Sequence, residues 1–248
     1  MVLRAGRLLT GTALATAFLV VGLGLAHEVR AQDQRPRTPS VLWQVTTPAP
    51  EVALTFDDGP SPVYTPPILA ALSAYHAHAT FFVLGSLAAQ YPDVVRQEQA
   101  EGSQVCNHGM SHIMLVGRTA AVVTDQVEDA ASILRSIGVP ECPLFRFPYF
   151  ASDATARTTV QRLGYLMIGA NVDTEDWRGR SAAKIAATAL QDIEPGDIIL
   201  MHDAGGTRTP TVQAVTLILK GLQERNLRAV TVGQLLASAG IQPPTASR

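Results

Sequence analysis

From Val52 onward the chain repeats one rhythm. A short apolar run is followed by a turn former, then by a longer stretch with apolar residues at helical spacing. The runs 52–56, 79–85, 103–107, 144–147, 165–172, 198–201 and 228–232 read as strands, too short and too β-branched for buried helices. Between them, helices are predicted over 65–75, 86–101 in two pieces, 119–137, 153–163, 181–193, 210–225 and 233–239. Pro66-Pro67 sits near the first turn of one helix and Pro92 begins another, where proline is tolerated. Gly102, Gly138, Gly164 and Pro195-Gly196 close others. Seven strand–helix alternations predict an α/β domain of about seven parallel strands, closed or nearly closed into a barrel. No internal repeat or second domain is visible.

The N-terminal stretch breaks this rhythm. Arg4 and Arg7 precede an apolar segment over 8–26, thinned by Thr10, Gly11, Thr12 and Thr16. Small residues follow in a cleavage pattern before Gln32 or, less favourably, before His27. Residues 1–31 read as a secretory signal peptide; the alternative is an uncleaved anchor, since the segment approaches the ~20 residues that span a bilayer. Residues 32–50, rich in Pro, Thr, Gln and Arg, read as a linker or N-terminal extension, with a possible strand or cover at 40–45. The α/β domain is assigned to 51–239 and a Pro-containing tail to 240–248.

Composition narrows the class. With 47% apolar and 16% charged residues, the 248-residue chain suits a compact fold with a sizeable core. A formal charge of −2 offers no basic footprint, which argues against nucleic acid as partner. Cys106 and Cys142 could bridge in an oxidising compartment, but one pair decides nothing and buried free thiols are common.

Chemistry-bearing residues gather just after the predicted strands. Thr55-Phe56-Asp57-Asp58-Gly59-Pro60 ends the first, and Gly59-Pro60 turns the backbone so that both carboxylates can face the space beyond the strand. Two carboxylates that close need a cation or a proton; a plain solvated Asp-Gly turn is the ordinary alternative. His108 and His112, spaced i and i+4, would share one side of a helical turn. With an aspartate they make a two-His, one-carboxylate metal site. Arg146, in an apolar run, needs a carboxylate partner unless its head snorkels to the surface, and the spare aspartate is the natural one. Asp173, Glu175 and Asp176 flank Trp177 after the fifth strand, an acidic helix start beside a buried Trp or part of a site. His202 after the sixth is suited to acid–base work or is a satisfied core histidine.

Together, Thr55 to Pro60, His108-Gly-Met-Ser-His112, Arg146-Phe-Pro-Tyr149, Asp173-Thr-Glu-Asp176-Trp177 and Leu200-Met-His202 resemble the five ordered motifs of the polysaccharide deacetylases. This is the NodB-homology domain, carbohydrate esterase family 4, and the resemblance covers roughly 52–239. It implies a distorted (β/α) barrel and a secreted metal-dependent hydrolase acting on an acetylated glycan. Asp58, His108 and His112 would hold a divalent ion, zinc above cobalt, nickel or manganese. Asp57 would be the general base, with Arg146 holding it. His202 would be the general acid, supported by Asp176. The Tyr149 amide would face the oxyanion, and Trp177 and Leu200 would line the acetyl slot. Substrates implied are N-acetylglucosamine-type residues of peptidoglycan, chitin or chitooligosaccharides. An O-acetyl esterase, a non-catalytic glycan-binding module and an iron oxygenase are the competing readings. A membrane enters only if the N-terminal segment stays uncleaved. His76 and His78 match no motif and read as surface residues; Glu175 receives no role.

Overall fold

The computed structural model describes residues 40–243. The signal-peptide segment, residues 32–39 of the extension and the end of the tail lie outside them. Among the described residues no helix is long and apolar enough to cross a membrane.

The strands are β1 (Glu51–Asp57), β2 (Thr80–Val83), β3 (Gln104–Asn107), β4 (Leu144–Phe145), β5 (Leu166–Met167), β6 (Val172–Asp173), β7 (Ile198–His202) and β8 (Arg228–Val230). The helices between and after them are α1 (Thr65–Ala74), α2 (Gly85–Gln90), α3 (Pro92–Ala100), α4 (Ala120–Ile137), α5 (Ala154–Arg162), α6 (Ala182–Leu190), α7 (Thr209–Glu224) and α8 (Val232–Ser238). Thr119, Asp153, Ser181 and Thr231 cap α4, α5, α6 and α8 with side-chain acceptors, and Gly138 ends α4 in the left-handed region.

All strand pairings are parallel, in the order β5-β4-β3-β2-β1-β7-β6, with β8 on the first half of β1. The curled sheet is not closed, because no pairing joins β5 to β6. The fifth predicted strand therefore splits in two. At the break, the Arg146 guanidinium donates to the carbonyls of Ile168 and Gly169. Residues 40–45 act as cover, with Leu42 bridging to Ile168 and Val45 buried.

Strand parity sorts the core. Val52, Leu54 and Phe56 of β1, with Phe81, Ile199 and Met201, pack outward under Ile68, Leu69, Leu72, Ile218 and Leu219 of the helices. The alternate residues Ala53, Phe82, Cys106, Leu144, Ile198 and Leu200 form a separate inner cluster with Ile168, Leu235 and Leu236. Cys106 is bridged to Cys142 in the loop before β4, so these are not free buried thiols. The same inner parity, continued to the strand ends, reaches Thr55 and Asp57, His108, Arg146 and His202. Parallel pairing sets Asp57 level with His202.

Candidate active site

Arg146 plugs the barrel. It is fully buried, and its guanidinium donates to Thr55 Oγ1 (2.7 Å), Asp57 Oδ1 (2.8 Å), Ile168 O (3.3 Å) and Gly169 O (2.7 Å). Its carbon centre lies 4.1 Å from the centroid of the Phe82 ring. Burial pulls its pKa down and the charge of Asp57 pushes back, yet an arginine keeps its proton under any ordinary pH. The pairing expected for Asp57 and Arg146 is present, and the surface-snorkelling alternative is not. Thr55 was missed in the sequence, although inward parity two residues before Asp57 marks it.

Asp58 turns the other way from Asp57 because its φ is +74°, a left-handed conformation that aspartate tolerates better than most residues. Gly205 presses on its far side: a Cβ there would stand 2.6 Å from Asp58 Oδ2. Asp58 Oδ1 lies 3.5 Å from His108 Nε2 and 3.2 Å from His112 Nε2. The two histidines do not share a helical turn. Residues 108–112 form a loop, with Gly109 at φ +90°, anchored by the Gly109 amide on Asn107 Oδ1 and the Ser111 amide on Gln126 Oε1. The loop brings the rings to the same place, centroids 5.4 Å apart.

His108 Nδ1 lies 2.8 Å from the Arg146 carbonyl. A carbonyl only accepts, so Nδ1 carries the proton and Nε2 presents a lone pair. Burial works to raise the Asp58 pKa, but the imidazoles of His108, His112 and His202 around it outweigh it and lower it. Burial lowers the pKa of His112 against the pull of Asp58. Asp58 Oδ1 is buried with no hydrogen-bond partner. An orphaned carboxylate oxygen between two imidazole nitrogens, with donor atoms within 4.8 Å of one another, fits one divalent cation. The separations match those that bonds of about 2.0–2.2 Å impose.

Across the cleft, His202 Nδ1 meets Asp176 Oδ1 at 2.7 Å, and the His202 amide donates to Asp176 Oδ2 at 2.9 Å. Burial lowers the His202 pKa, but the bond and charge of Asp176, with Asp57 and Asp58, prevail and raise it. Asp176 belongs to the 3₁₀ turn Asp176–Arg178 after β6 and is buried, while Trp177 beside it is half exposed rather than buried. Tyr149 sits in the turn Pro148–Phe150 at φ +59°, its ring 4.3 Å from that of His112, its amide outside the turn's hydrogen bonds. Asp57, Asp58, Tyr149, Trp177, Leu200 and His202 line one cleft of about 470 Å³, joined by Phe147, Phe150, Asp173, Gly205 and Arg208.

Asp203 is the buried acid the sequence reading passed over. Burial, with the charge of Asp58 adding and the Thr65 hydroxyl opposing, lifts its pKa to about 7. Gly59 has no room for a side chain because the Asp203 carboxyl fills the space. Glu175 pairs with Arg178 and Arg180 on the surface. His76 is exposed as expected, whereas His78 is only partly so and its Nδ1 is buried without a partner.

Comparison with known proteins agrees with this geometry. The polysaccharide deacetylase family model matches residues 44–168. A peptidoglycan-N-acetylglucosamine deacetylase of Bacillus cereus is 34% identical over 202 residues, 80% of this chain and 94% of that one. A chitooligosaccharide deacetylase of a Bradyrhizobium species is 34% identical over 196 residues, 74% of this chain and 90% of its own. The crystal structure of the Bc1960 peptidoglycan N-acetylglucosamine deacetylase with a naphthalenyl N-hydroxybenzamide superposes with a TM-score of 0.78 at 29% identity, covering 84% of this chain and 96% of that one. The chain belongs to the polysaccharide deacetylase family of enzymes, the NodB-homology domain of carbohydrate esterase family 4.

Proposed function

We propose that this chain is an exported N-deacetylase that hydrolyses the acetamido group of N-acetylglucosamine-type residues in a glycan. The observation that carries the reading is one cleft with a base held on one wall, an acid on the other, and a three-residue cation site between them. Asp58, His108 and His112 would hold a divalent ion, zinc by donor type, with cobalt, nickel and manganese as alternatives. Such an ion would supply Lewis acidity, which lowers the pKa of water toward neutrality and polarises a carbonyl.

Asp57 takes the proton of the attacking water. Arg146 occupies its other oxygen, so one face of the carboxylate stays turned to the cleft. As water oxygen bonds to the acetyl carbon, the Tyr149 amide offers a hydrogen bond to the oxyanion. His202, charged through Asp176, then gives its proton to the nitrogen as the C–N bond breaks. Acetate and a free amine leave. Trp177 and Leu200 form the apolar wall for the acetyl methyl. The export half of the proposal rests on the charged, apolar and small-residue order of residues 1–31.

The test is acetate and free-amine release by the purified chain from N-acetylglucosamine oligomers, peptidoglycan and acetylated xylan, with zinc and with excess chelator. Chelator-sensitive amine release is expected on the amino-sugar substrates. Acetate from xylan alone would make the enzyme an O-acetyl esterase. Glycan binding without any release would make it a binding module.

A further inference from the structure

The catalytic pair across the cleft has a third member. The chain after His202 loops through 203–208 and starts α7, and Thr211 lies in its first turn. Thr211 is buried, and its Oγ1 donates to Asp176 Oδ2 at 2.8 Å. A helical threonine ordinarily bonds its hydroxyl back to a carbonyl of the preceding turn. Here it reaches a carboxylate 35 positions away in sequence, and its β-branched side chain has few rotamers with which to do anything else.

Asp176 thus takes three donors from two elements. The strand end supplies the His202 amide to Oδ2 at 2.9 Å and the imidazole to Oδ1 at 2.7 Å. The helix start supplies Thr211 to Oδ2. A carboxylate held by two donors on one oxygen cannot rotate, so its other oxygen stays aimed at the imidazole Nδ1. The positive end of a 16-residue helix also favours the ionised form of an acid at its first turn.

We propose that Thr211 is a positioning residue for the acid half of the reaction: it clamps the Asp176 carboxylate so that His202 is held protonated with its other nitrogen toward the cleft. The proposal rests on the deacetylase reading for its kinetic consequence but not for its structural one. The charged groups facing His202 are Asp173 from β6 and Asp176 from the turn after it, Asp57 and Asp58 from β1 and its end, and His112 from the loop after β3. Asp173 faces Asp176, and Arg208 lines the same cleft.

The experiment compares the full chain carrying Thr211→Val, which keeps the shape and deletes the donor, with Thr211→Ser, which restores it. Imidazole NMR of histidine-labelled protein follows the titration of His202, assigned by its loss in His202→Gln. Steady-state kinetics on an N-acetylglucosamine oligomer run in parallel. Expected for Thr211→Val are a His202 titration displaced to lower pH and kcat lower by about tenfold, the worth of one hydrogen bond to a charged group. KM should stay within about twofold, the basic limb of the rate profile should move down with the titration, and Thr211→Ser should return both values. A His202 titration unchanged in Thr211→Val overturns the proposal, as does a loss that Thr211→Ser does not recover. Should no glycan be deacetylated by the unaltered chain, the function falls, and the NMR comparison still decides the clamp.

Discussion

Two buried carboxylates, Asp57 and Asp176, support the cleft, and their partners differ in kind. Asp57 is tied to an arginine with no exposure at all, whose remaining donors are spent on Thr55 and two backbone carbonyls. Asp176 is tied to a histidine whose side chain keeps 14% of its surface open to the cleft. The arginine cannot lose its proton, so the first pair is a permanent ion pair that fixes the Asp57 carboxylate. The histidine titrates, so the second pair can give a proton away and take one back. On the proposed mechanism, the fixed cation sits at the carboxylate that accepts a proton and the titratable one at the side that donates it.

Breaking the fixed pair should cost the most. Arg146→Met leaves Asp57 buried without its partner, frees the Ile168 and Gly169 carbonyls, and should destabilise the fold by about 3–5 kcal/mol. A shift of the urea midpoint at unchanged slope measures this, with turnover lost as well. A variant as stable as the parent would show that the plug is not structural.

The second comparison is between neighbours with opposite duties. Asp57→Asn should retain zinc and lose about 10²–10⁴-fold in kcat, the range for a general base. Asp58→Asn should lose zinc affinity as well as turnover. Zinc titration of both variants decides it, and equal loss of metal in the two would end the division of labour.

The smallest effect concerns pH and the titratable pair. The folded pKa of His202 is raised above 6.5. Its pairing therefore contributes stability that is complete below that value and is lost as pH rises through the folded pKa. Turnover should decline along the same limb, because the acid loses its proton. His202→Gln should flatten the stability profile over that window; a slope equal to the parent's would assign it to another group.

Much of this architecture is legible in the chain. The apolar runs give seven strands because a buried parallel strand has to be apolar on both faces. The five motifs mark their ends. The residues hidden from a sequence reading are those whose meaning comes from a partner far away. Asp203 looks like one more acid after His202 until Thr65 and Gly59 are seen closing over it. Thr55 looks like an ordinary strand threonine until Arg146 reaches it.

By itself the sequence determined the strand–helix rhythm and the turn formers and pointed to the polar side chains at the strand ends, because these depend on local spacing and local chemistry. Only the tertiary structure decided that His108 and His112 meet through a loop rather than a helical turn. It also decided that the fifth strand breaks where Arg146 donates to its carbonyls, and that Cys106 and Cys142 are bridged. Each depends on which atoms arrive together when distant segments pack, and that geometry is set by the whole sheet at once rather than by any one stretch of it.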